Sequence, residues 1–193
     1  MTRVGVVGAG SWGTAVAGIV AENAEVVLWA RDPELAQRID SSHENDRYLP
    51  GIALPERVSA TSDLEVACAG ADVVVIGVPS HGFRAVLADA APLIGDDVPV
   101  VSLSKGVEQG TDLRMTEVVA DVVGSHRVDR IGVLTGPNLA REVAEGQPTA
   151  SVIAIGDPAT AAQLQRLFMT RTFRVYTNPD VVGCEIAGAL KNV

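Results

Sequence analysis

Short runs of valine, isoleucine and leucine recur along this chain, and each is followed by a segment whose apolar positions repeat at helical spacing. That alternation constrains the fold more than any single residue does. The runs predict strands over 4–7, 25–29, 58–60, 72–78, 98–103, 131–134, 151–155 and 174–176. The intervening segments predict helices over 12–22, 33–40, 64–69, 82–91, 113–123, 139–145 and 158–168, with a last one opening near Val181 and still running at Val193. Most of the strand runs are continuously apolar, as strands covered on both faces must be. Strand and helix in strict succession give an α/β fold: a doubly wound, mostly parallel Rossmann-type sheet with helices on both faces.

Several boundaries carry local signals. Asp32-Pro33 and Asp157-Pro158 each set a capping carboxylate before a proline suited to the first helical turn. Ser62 followed by Glu65 fits a capping box. The longest irregular stretch, 41–56, holds Asn45, Tyr48, Pro50, Gly51 and Pro55, and a loop of that length is often functional.

Composition narrows the function. With 47% apolar residues the chain has material for a core, so disorder is excluded. No apolar run reaches the roughly 18 residues of a membrane span. The N-terminus lacks the pattern of a secretory signal, and a cytoplasmic location is expected. A net charge of -9 argues against general nucleic-acid binding. Cys68 and Cys184 make neither a disulfide framework nor a zinc site, and no metal is expected.

The first strand runs into Gly8-Ala9-Gly10-Ser11-Trp12-Gly13, a G-x-G-x-x-G run that opens the first helix. In that context it is a dinucleotide fingerprint. Gly8 permits the tight turn, Gly10 clears the path of the pyrophosphate, and Gly13 lets helix and strand pack closely. Backbone N–H groups and the positive helix end then meet the phosphates. After the second strand stand Arg31 and Asp32. The fork of donors on Arg31 suits a 2′-phosphate, which favours NADP(H) and leaves NAD(H) open. Asp32 serves either a ribose or the next helix as a cap.

More turns follow strands whose carboxyl ends should edge the same crevice. Pro79 is expected under the nicotinamide with Phe83 near it. His81 is either a catalytic acid or an exposed helix-start residue. Lys105, in Ser102-Leu103-Ser104-Lys105-Gly106, projects into the crevice. Gly136-Pro137-Asn138-Leu139-Ala140 offers backbone donors for an anion or a carbonyl. On the last helix Ile186, Ala187, Leu190 and Val193 share a face. There Lys191 is either a snorkelling surface residue or a functional cation.

Together, the segments 8–14, 29–34, 45–51, 78–81, 102–106, 136–142 and 185–193 resemble the bacterial NAD(P)-dependent glycerol-3-phosphate dehydrogenases over the whole chain. The resemblance implies reduction of dihydroxyacetone phosphate to sn-glycerol 3-phosphate with NADPH or NADH, feeding phospholipid synthesis. It implies cofactor contacts from Gly8, Gly10, Ser11, Trp12, Gly13, Arg31, Lys105 and Ala140. It gives Lys105, Gly136, Asn138 and Lys191 to the substrate, with Lys191 as proton donor or acceptor. Asn138 stands where a small hydroxyl residue is common in that family. Residues 1–180 are expected to form the dinucleotide domain. Residues 181–193 are expected to begin a helix into a helical substrate domain lying outside this chain, and a homodimer of the longer protein is compatible with that. Two other functions remain open from sequence alone: a related two-domain hydroxy-acid or keto-acid dehydrogenase, and a cofactor-binding fragment without turnover.

Overall fold

The structure is a computed structural model and describes residues 1–124 and 128–190. Its elements run β1 (Arg3–Val7), α1 (Ser11–Val20), β2 (Glu25–Trp29), α2 (Pro33–Ser42), β3 (Val58–Thr61), α3 (Leu64–Cys68), β4 (Val73–Ile76) and α4 (Ser80–Ala90). There follow β5 (Val100–Ser102), α5 (Met115–Val123), β6 (Ile131–Thr135), α6 (Ala140–Ala144), β7 (Thr149–Ile155), α7 (Pro158–Phe168), β8 (Phe173–Asn178) and α8 (Val181–Leu190). The strands form one eight-stranded sheet of order β3-β2-β1-β4-β5-β6-β7-β8. The first six strands are parallel neighbours in it.

β7 runs antiparallel to β6, with Thr135 opposite Val152, and β8 then pairs parallel to β7. The reversal follows from the connection. Five-residue α6 is about 8 Å long, against about 17 Å for β6, so it cannot return the chain to the start of that strand. The two faces of the sheet carry separate cores. Val4, Val6, Val26, Leu28, Val73 and Val75 pack under α1, α2 and α7, against Val16, Val20, Ile39, Leu164 and Phe168. Val7, Val27, Trp29, Val74, Ile76 and Val100 point the other way, onto Phe83, Leu87, Met115 and Val118 of α4 and α5. Alternate residues of one continuous apolar run therefore feed opposite layers, which is why these strands lack polar positions.

Three expectations are corrected. Asp63, not Ser62, caps α3: its carboxylate accepts the Glu65 N–H at 2.8 Å, while the Ser62 carbonyl takes the Trp29 indole N–H at 2.9 Å. The strand expected over 72–78 ends at Ile76, where the chain leaves through Gly77 toward α4. The helix expected from Leu113 starts at Met115, because Val107 bridges to Arg114 and Glu108 N–H reaches the Leu113 carbonyl. On α8 the buried face is not the apolar one. Ile186 and Leu190 are 41% and 62% exposed, whereas Glu185 and Gly188 are buried.

Candidate functional site

The carboxyl ends of β1, β2, β4 and β5 open into a cleft of about 890 Å³, lined among others by Gly8, Gly10, Trp12, Arg31, Pro79, Lys105 and Ala140. It lies where the order of connection reverses between β1 and β4, the position at which open α/β sheets take ligands.

The three glycines of the first turn are required for different reasons. Gly8 has a φ of +122°, and a Cβ there would lie 2.7 Å from the Gly77 carbonyl oxygen. A Cβ on Gly13 would lie 2.0 Å from the Gly8 carbonyl oxygen, so α1 sits as close to β1 as a glycine allows. Gly10 differs. Its φ of -71° and ψ of 175° suit any residue, and a Cβ there would meet nothing within 4 Å. The fold itself does not need glycine at this position. Thr14 N–H to Gly10 O, at 2.9 Å, is the hydrogen bond that starts α1. The N–H groups of Ser11, Trp12 and Gly13 are thus left by the helix for other acceptors. No side chain caps this end, nor those of α4 and α6, whose N-cap residues Pro79 and Leu139 also line the cleft. By contrast α2, α3 and α7 are each capped by an aspartate. This cradle fits a dinucleotide pyrophosphate.

Asn45 stiffens the turn. It is fully buried, donates to Ala9 O at 2.9 Å and Thr14 Oγ1 at 2.7 Å, and accepts the Tyr48 N–H at 3.1 Å. The long loop thereby brings Arg47 and Tyr48 to the cleft, with the Arg47 guanidinium 5.2 Å from the Tyr48 ring centre. Asp32 turns its carboxylate into α2, accepting from Glu34 and Leu35 N–H, and pairs with Arg47 at 3.2 Å. Its role as a cap is observed. Arg31 is exposed at the cleft wall, its guanidinium 3.9 Å from where a Cβ on Gly82 would stand.

At the other end, the Lys105 ammonium donates to the Gly136 carbonyl at 3.0 Å. The Ser104 hydroxyl donates to the Val78 carbonyl. Asn138 lines the cleft and donates to the Ser151 hydroxyl. Gly136 is packed behind, where a Cβ would lie 3.0 Å from the Ala150 carbonyl, the Asn138 amide and the Ser151 hydroxyl.

The family described as NAD-dependent glycerol-3-phosphate dehydrogenase N-terminus matches residues 3–161. The chain belongs to this family. It is 53% identical over 191 residues to glycerol-3-phosphate dehydrogenase [NAD(P)+] 2 of Sphingopyxis alaskensis, covering 99% of this chain and 56% of that protein. It is 52% identical over 197 residues to glycerol-3-phosphate dehydrogenase [NAD(P)+] of Thermobifida fusca, covering 100% of this chain and 58% of that one. The crystal structure of glycerol-3-phosphate dehydrogenase from Coxiella burnetii superposes with a TM-score of 0.92 at 34% identity, covering 99% of this chain and 58% of its own. The chain thus spans little more than half the length of these dehydrogenases.

The cleft gathers Gly8, Gly10, Ser11, Trp12, Arg31, Lys105, Asn138 and Ala140 of the residues singled out from sequence. Gly13 and Gly136 stand directly behind its wall. Lys191 lies outside the described residues. His81 is exposed in the first turn of α4 and lines the cleft. Phe83 does not: it is 1% exposed, in the core under α4. Sequence reasoning singled out the loop that holds Asn45 and Arg47 but gave neither residue a role. A buried asparagine in a polar loop gives no periodic signal. One available signal went unused: Lys105 and Lys191 are the only lysines, and every other basic residue of the 15 is arginine. Among the described residues no cluster of histidine, cysteine or carboxylate could hold a metal ion, and no helix is long and apolar enough to cross a membrane.

Proposed function

We propose that this chain is the cofactor-binding half of a glycerol-3-phosphate dehydrogenase, which reduces dihydroxyacetone phosphate to sn-glycerol 3-phosphate, a precursor for phospholipid synthesis. The observation that carries this is Gly10, a glycine demanded by neither backbone angle nor packing, at the uncapped start of α1. Gly8, Gly10, Ser11, Trp12 and Gly13 hold the pyrophosphate. Arg31 favours NADPH over NADH, since the Asp32 carboxylate that would select a free ribose is turned into α2. When bound, the reduced nicotinamide supplies the hydride. The protein's part is to place the ketone and to manage charge. Lys105, held on the Gly136 carbonyl, opposes negative charge as it develops on the ketone oxygen. Asn138 and the Gly136 turn fix the substrate, and Ala140 borders the cofactor. Lys191 exchanges the proton: an ammonium can donate at neutral pH, as a guanidinium cannot. Glu185, Gly188 and Lys191 recur every third residue in the sequence.

Two measurements test this. NADPH oxidation is followed on addition of dihydroxyacetone phosphate to the complete protein; no turnover would overturn the assignment. Arg31→Ala should weaken NADPH about tenfold or more relative to NADH, the loss of one charge-assisted contact. An equal effect on both cofactors would remove Arg31 from the selection.

A further inference from the structure

A second polar network lies outside the cleft, and it joins two elements of the proposed site. Glu185 is 7% exposed on α8. Its carboxylate accepts from Arg114 Nη1 at 2.7 Å, Thr116 N–H at 3.0 Å and Thr116 Oγ1 at 2.5 Å. Arg114 and Thr116 flank the start of α5, the end of the loop that carries Lys105. Arg114 also closes that loop, since its backbone forms an isolated bridge to Val107, two residues past Lys105. One turn beyond Glu185 on α8, Gly188 closes on the same place. A Cβ there would lie 2.7 Å from Thr135 Oγ1 and 3.9 Å from the Lys105 Cγ. Glu185 therefore holds α8 to the base of the loop, and Gly188 lets α8 touch the Lys105 stem and the end of β6. The next residue after β6 is Gly136, whose carbonyl receives the Lys105 ammonium.

We propose that Glu185 is a positioning residue, which through Arg114 and Thr116 fixes α8 against the Lys105 loop and so keeps the Lys105 ammonium on the Gly136 turn. The proposal rests on the reading of Lys105 as a substrate-site cation. The geometry explains why a carboxylate is buried on a helix whose aliphatic side chains are exposed: its partners are on another element, and an unpaired charge there would be costly.

The test uses the scarcity of lysine. Brief acetylation with acetic anhydride, read by peptide mass, reports Lys105 and Lys191 as the only side-chain amines. Glu185→Gln keeps the volume but sets an amide against donors; Thr116→Val removes one donor and is the gentler variant. In both, Lys105 acetylation should rise severalfold, up to about tenfold for loss of a charge-assisted bond. NADPH affinity should stay within about twofold, because the pyrophosphate turn is elsewhere, and Glu185→Asp should recover part of the protection. In the complete protein the same variants should lower kcat for dihydroxyacetone phosphate while the KM for NADPH holds. Unchanged Lys105 acetylation in either folded variant overturns the proposal, as does a parallel loss of NADPH affinity, which would make Glu185 a general structural residue. A parent protein without turnover would refute the assigned reaction alone, since the acetylation result does not depend on it.

Discussion

Replacing Gly10 by serine should move stability and cofactor affinity in opposite directions. Gly10 is the N-cap of α1, with backbone angles any residue adopts and open space where a Cβ would go. Serine is a better N-cap than glycine by a few tenths of a kcal/mol, and it restricts the unfolded chain, for a gain of about 0.5–1 kcal/mol. The melting temperature should hold or rise by about 1–4 °C for a domain of this size. The same hydroxyl would accept the Trp12 or Gly13 N–H, and its Cβ would stand in the pyrophosphate path. Losing one charge-assisted hydrogen bond at ~1.5–3 kcal/mol, before any steric cost, weakens NADPH by roughly tenfold to a hundredfold. The assay is built in: both tryptophans of the sequence, Trp12 and Trp29, line the cleft, so binding is followed by quenching of intrinsic fluorescence. A Gly10→Ser protein that binds NADPH like the parent, or that melts well below it, would refute this account of the turn.

Gly13→Ala should behave differently. Its Cβ meets a backbone oxygen at 2.0 Å, so α1 must move off β1, at about 1–3 kcal/mol or more, seen as a lower urea midpoint even without cofactor. Asn45→Ala should cost about 2–4 kcal/mol by stranding the Ala9 carbonyl and the Thr14 hydroxyl, and it should weaken NADPH as the turn loosens. Glu108, doubly hydrogen-bonded to Arg84 and bonded to Thr111, has its carboxyl held down at about 2. A depressed carboxylate stabilises the fold fully above its unfolded value near 4.3 and loses that contribution as pH falls toward 2. The stability difference between parent and Arg84→Met should therefore shrink on acidification from pH 5 to pH 3, and a constant difference would contradict the pairing.

The alternation of strands and helices was legible because parallel strands bury both faces, leaving apolar runs such as Val73–Ile76 that no surface strand would carry. The glycine turn was legible because Gly8 and Gly13 answer to fixed geometry, the one in a positive φ and the other in a close approach of helix to strand. What sequence reasoning lost was non-local. Glu185 finds its partners in Arg114 and Thr116, about seventy positions away, so the apolar spacing of its own helix gives no sign that this carboxylate is the buried position. Phe83 was set near the cleft by its neighbours in sequence, whereas helical spacing with Val86 and Leu87 takes it into the core. Asn45 carries no periodicity, because its role is to satisfy a carbonyl in another element.

The open ends of α1, α4 and α6 also bear on the speed of cofactor capture. A net charge of -9 on this chain repels a polyanionic cofactor at a distance, while three helix ends and Arg31 attract it once it reaches the cleft mouth. Repulsion from the whole surface extends over tens of ångströms in dilute buffer and is cut to about 8 Å at physiological ionic strength. Attraction inside the cleft acts over shorter range and is screened less. Moderate salt should therefore remove the barrier to approach before it weakens the trap, so that a dinucleotide associates faster in a saline medium than in dilute buffer, a difference that stopped-flow fluorescence would read.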